Sequence, residues 1–127
     1  MNLMPLIDRL QLAGVGIKGK SLFLQMMPAE ARRAVMLRLP LSGMRINHEL
    51  PGYFKGQFQL TVRAQSYEDG RELIEQAIDH LTIANELVEH QQFNYCRPCY
   101  LPVAFPLSKG NLVEYTVMFD CSFVEQD

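Results

Sequence analysis

The sequence predicts an α+β domain, with a mainly antiparallel four- to five-stranded sheet, one long helix packed on one face and a short N-terminal helix. Three stretches carry this expectation. Phe58, Leu60, Val62 and Ala64 alternate with Gln57, Gln59, Thr61 and Arg63, the period of a strand in a sheet that is wet on one face. Directly afterwards Ser66 and Asp69 fit the S-x-x-[DE] capping box. Leu73, Ala77 and Leu81, flanked by Ile74 and Ile78, then form an apolar stripe at helical spacing, which predicts a helix over 66–84. Near the C-terminus Val113, Tyr115, Val117, Phe119, Cys121 and Phe123 alternate without fault against Glu114, Thr116, Met118, Asp120 and Ser122.

The remaining elements follow in chain order. Leu3, Leu6, Ile7 and Leu10 recur at helical spacing, with Pro5 tolerable in a first turn and Gly14 a natural stop. A loop, VGIKGK, leads to the apolar run Leu22–Met26, too short for a helix before Pro28 and therefore a strand. Val35, Leu37 and Leu39 alternate with Met36 and Arg38, so the PAEARR segment turns into a strand over 34–39. Residues 40–56 place Met44, Arg45, Ile46, His48, Tyr53 and Phe54 among glycines and prolines, which predicts a protruding loop or β-arm. The stretch 93–103 is interrupted at Pro98 and Pro102 and suits an edge strand or irregular connector. Ser108–Asn111 reads as a turn.

A chain of 127 residues with 48% hydrophobic residues suits one domain, residues 1–127, that buries roughly two-thirds of its unfolded surface. No apolar run approaches the ~20 residues of a membrane helix, and the N-terminus lacks the pattern of a signal peptide; synthesis in the cytosol is expected. Three cysteines are too few for a disulfide framework and are expected as thiols. The net charge of −2 argues against a phosphate-neutralising nucleic-acid binder. Its distribution is uneven. Residues 1–64 hold nine Lys/Arg and three Asp/Glu, a balance of +6, whereas residues 65–127 hold three and eleven, a balance of −8. Such halves suit a head-to-tail oligomer, or else interleave in one fold and pair internally.

Two short motifs invite chemistry. Gly14–Ser21 matches G-x-x-x-x-G-K-[ST], but a phosphate-binding loop follows a buried strand and opens a helix, and here a helix precedes it and Pro28 follows too soon. Cys96-Arg97-Pro98-Cys99 has the spacing of half a zinc site or a redox pair, but the other half is missing and YLPVAFP downstream reads as extended chain, so two incidental thiols near a sheet edge are expected. Only a chance convergence of Cys121 with His48, His80 or His90 would complete a tetrahedral set. Glu68, Asp69, Glu72, Glu75 and Asp79 lie on the polar face and first turn of the 66–84 helix, where they favour solvation and the helix dipole over acid–base work. No catalytic residue, metal or cofactor is nominated, and the chain is not expected to be an enzyme.

The order of elements from Leu39 to Leu81, LPLSGMRINHELPGYFKGQFQLTVRAQSYEDGRELIEQAIDHL, resembles the tail terminator proteins of long-tailed bacteriophages. SLFLQMMP upstream and YLPVAFPLSKGNLVEYTVMFDCSF downstream extend the resemblance over most of the chain. It implies a virion protein at the tail–neck junction, assembled in the host cytoplasm as a homohexameric ring. The ring would stop polymerisation of the tail tube, dock the neck or head-completion protein, and let DNA pass through an acidic or neutral lumen. On this reading Met44, Arg45, His48, Tyr53 and Phe54 in the arm are interface residues, with Lys18, Lys20, Arg32 and Arg33 facing an acidic neighbour. The alternatives are a neck or head-completion protein of the same virion and, remotely, a small nucleotide-binding enzyme using the Gly14–Ser21 loop.

Overall fold

A computed structural model describes residues 2–40, 45–46, 48–107 and 110–125, at 45–46 through backbone pairing only. Helix α1 (Met4–Leu12) buries Pro5, Leu6, Ile7 and Leu10 and ends where Gly14 takes a φ of +81°. Strands β1 (Leu22–Leu24) and β2 (Ala34–Arg38) come next, then β3 (Arg45–Ile46) and the twelve-residue β4 (Tyr53–Ala64). Helix α2 (Tyr67–Leu81) is followed by β5 (Ile83–Val88), β6 (Gln91–Pro98), β7 (Val103–Pro106) and β8 (Val113–Glu125). The sheet runs β1-β2-β4-β8-β6-β5, with β3 added beside β4 and β7 beside β8.

Four to five mainly antiparallel strands are therefore too few, since the described residues form eight. The sheet is also mixed, because β1 and β2 run parallel, with Leu22 opposite Val35. Strands β3, β5 and β7 are the additions. Ala84, Glu86 and Leu87 are residue types that extend a helix on paper. The helix nevertheless stops at Leu81, short of residue 84. Thr82 turns extended (φ −80°, ψ 113°), and both its N–H and its Oγ1 donate to the Ile78 carbonyl, at 2.9 and 2.8 Å. Both helices lie on one face of the sheet, and the residues that α1 and α2 bury join the inward side chains of the strands in a single core. There Phe58 stacks on Phe119 at 5.1 Å and Phe54 on Phe123 at 5.3 Å.

The capping box forms at one of its two ends: Ser66 Oγ accepts from the Asp69 N–H at 3.1 Å. Gly70 lets the helix approach the sheet. A Cβ there would sit 2.8 Å from the Tyr115 ring, whose hydroxyl donates to the Tyr67 carbonyl at 2.9 Å. On the far side of the sheet Arg63 and Glu114 pair at 3.0 Å, and Arg63 also donates to the carbonyls of Pro28 (2.9 Å) and Ala31 (3.1 Å). This pins the 25–33 connection between the two parallel strands.

Candidate assembly surface

The register of β4 against β8 is continuous from Tyr53↔Val124 to Ala64↔Val113 and defines the face that the helices leave uncovered. Reading across β2, β4, β8 and the β7/β6 edge gives successive rows. Ala34, Arg63, Glu114 and Phe105 form the first; Met36, Thr61, Thr116 and Val103 the second; Arg38, Gln59 and Met118 the third. Gln57, Asp120 and Arg97 follow, then Lys55, Ser122 and Tyr95. At the first three rows the face carries a shallow groove of about 390 Å³, walled by Gln25, Met26 and Met27 on one side and Phe105 on the other. Met26 is 78% exposed and Phe105 39%, so apolar surface faces water there.

The residues expected in an arm are divided by the two-residue period of the strand. Tyr53 lies on the uncovered face, where its hydroxyl accepts from Ser122 Oγ at 3.1 Å, while Phe54 packs into the core against Phe123. Arg45 pairs through its backbone with Lys55 in the β3–β4 ladder, and His48 is exposed in the intervening turn. Met44 lies outside the described residues.

Three of the four basic loop residues take separate partners. Lys18 pairs with Asp8 at 2.5 Å, Arg33 with Asp69 at 3.3 Å, and Arg32 donates to the Gly110 carbonyl at 3.4 Å. Lys20 is exposed. Of the four ion pairs among the described residues, Arg9–Glu86, Arg33–Asp69 and Arg63–Glu114 join the basic half of the chain to the acidic half. Much of the asymmetry is thus met inside the fold.

Part of what remains lies on two faces. The uncovered sheet face holds Arg38, Lys55, Arg63 and Arg97 against Glu114 and Asp120, a balance of +2. The solvent side of α2 carries Glu68, Glu72, Glu75 and Asp79 against Arg71, a balance of −3. Sequence reasoning did not nominate Arg38, Lys55 and Arg97 as site residues. The alternation that puts Arg38 on the wet face was visible, whereas Lys55 fell in the stretch read as an arm, and their alignment with Arg97 depends on a strand order that no local pattern states.

The two chemical motifs have structural employment. In the Gly14–Ser21 loop the N–H groups of Lys20, Ser21 and Leu22 all donate to the Ile17 carbonyl, at 3.1, 2.8 and 3.0 Å, and the Ile17 N–H donates to Ser21 Oγ. The amides that would cradle a phosphate are turned onto the loop itself, and a strand follows instead of a helix. Cys96 is buried opposite Cys121 in the β6–β8 ladder, whereas Cys99 is exposed and its sulfur accepts from Gln57 Nε2 at 3.6 Å. Burial, and then the neighbouring Cys121, push the Cys96 thiol far up. Burial followed by Asp120 pushes Cys121 up to about 12. Among the described residues no group of three or more His, Cys, Asp or Glu is arranged to hold a metal.

A family model described as bacteriophage tail terminator protein matches residues 9–125. No match exists among curated proteins. Among solved structures, a chain from the virion of a native gene transfer agent (GTA) particle is similar, with a TM-score of 0.64 and 13% sequence identity over 94% of this chain and 91% of that one. At that identity the likeness is one of fold.

Proposed function

The chain belongs to the bacteriophage tail terminator family, a family of structural virion proteins, and from that premise we propose that it caps the head-proximal end of a tail tube. The cap ends tube growth by covering the face to which the next ring of tube subunits adds, and its outer side gives the neck a docking surface. The work is done by association alone. A homohexameric ring, the arrangement that the resemblance implies, suits a cap that must match a tube and leave a channel for DNA. An acidic or neutral channel wall keeps phosphates from binding as they pass.

The observation that carries this reading is the family match from residue 9 to residue 125, which spans every strand, helix α2 and the last four residues of α1. The separation of charge between the two faces supports self-association. The sites named for this role are the β3–β4 segment with Arg45, His48 and Tyr53, the adjoining Met44, and the loop residues Lys18, Lys20, Arg32 and Arg33. Phe54 acts from beneath, by fixing the strand that presents Tyr53.

Polymerising tail tube protein in the presence of the purified chain tests the reading. Tubes that stop growing when the chain binds one end support it. Tubes that grow unchanged while the chain binds a neck or portal protein instead would reject capping and favour a head-completion role.

A further inference from the structure

We propose that the uncovered sheet face of one subunit seats helix α2 of a second copy, so that neighbours join head to tail. The contact rests on the terminator reading, which requires a self-assembled cap, and it specifies which surfaces meet. A two-layer fold with helices on one face leaves the other face of its sheet without an apolar cover, and here that face keeps exposed Met26 and Phe105 around a groove. Its charge is the opposite of that on the outer side of α2, +2 against −3. The two surfaces lie on opposite sides of one subunit. They cannot both be met by a two-fold axis, so the contact is heterologous, the kind that closes into a ring under rotation.

The dimensions agree. At 100° per residue, Glu68, Glu72, Glu75 and Asp79 fall within an arc of about 60° and run for about 16 Å along the helix. Arg38 on β2 and Arg97 on β6 are separated by three strand spacings and one row of the register, roughly 16 Å. The acidic stripe therefore spans the two arginines when α2 lies diagonally across β4 and β8. Lys55 lies two rows of the ladder beyond Gln59, and Asp120, beside Arg97, is the one opposing carboxylate on that half of the face.

Two reversal variants test the contact: Arg38→Glu/Lys55→Glu/Arg97→Glu on the sheet and Glu72→Lys/Glu75→Lys/Asp79→Lys on the helix. All six side chains are exposed, and circular dichroism checks that each variant folds. Native mass and the number of copies bound per tube end are measured for each variant and for their equimolar mixture. We expect each reversal to abolish self-association and the mixture to restore it. Reversal variants that assemble like the wild type, or a mixture that stays dissociated, overturn this contact and leave the ring intact. A wild type that is monomeric in solution and binds tube ends as one copy overturns the ring, and the contact with it.

Discussion

Tyr53 and Phe54 show how far one residue of register changes a role. Adjacent in sequence, they serve opposite faces of β4, so their substitutions separate stability from assembly. Phe54→Ala removes a ring stacked on Phe123 and is expected to lower stability by about 2–3 kcal/mol, read as a fall in melting temperature. Tyr53→Phe removes one hydroxyl contact and should cost about 1 kcal/mol or less. The cysteines give a second residue-scale prediction. With Cys96 and Cys121 buried, a thiol reagent at pH 8 should modify one cysteine per native chain and three after denaturation. Because burial raises Cys121 from 9.0 to about 12, the native state holds its proton where the unfolded chain releases it. Stability is therefore at its full value below pH 9 and falls as pH rises from there towards 12, which denaturant midpoints measured across that range will reveal.

At the scale of elements, the signals that were legible are those set by local chemistry. Ser66 caps α2 as its hydroxyl demands, and the alternations through 57–64 and 113–123 became the central pair β4 and β8. Ser66→Ala should cost about 1 kcal/mol by leaving the Asp69 N–H without its acceptor. Gly70→Ala should cost more, about 1–3 kcal/mol, because the added methyl meets the Tyr115 ring at 2.8 Å; Tyr115→Leu in the same chain should recover part of it. Less legible were β3, β5 and β7. Two are short strands that owe their existence to a long neighbour, and β5 is written in residues that also suit a helix, turning back to β6 at Glu89, whose φ is +54°, without an Asn-Gly signal. A parallel β1–β2 pair was equally hidden, since direction depends on where the 25–33 connection is pinned, and Arg63 pins it from a strand thirty residues later.

For the whole molecule, the charge asymmetry along the chain resolves into two parts. Three ion pairs join the basic half to the acidic half, and part of the remainder lies on the open sheet face and on the outer side of α2. The first part stabilises the fold and the second is available to a neighbour, a division that composition could not foresee because it depends on which face each strand turns outward. Self-association should accordingly weaken as salt rises from 50 mM to 500 mM while the melting temperature of the subunit changes little, a contrast that light scattering and calorimetry together will show. The most direct test of the terminator assignment is the length distribution of tails, by electron microscopy, in the phage-like particle with this chain deleted. Tails of uncontrolled length, unattached to filled heads, are the predicted result; tails of normal length joined to heads would contradict it.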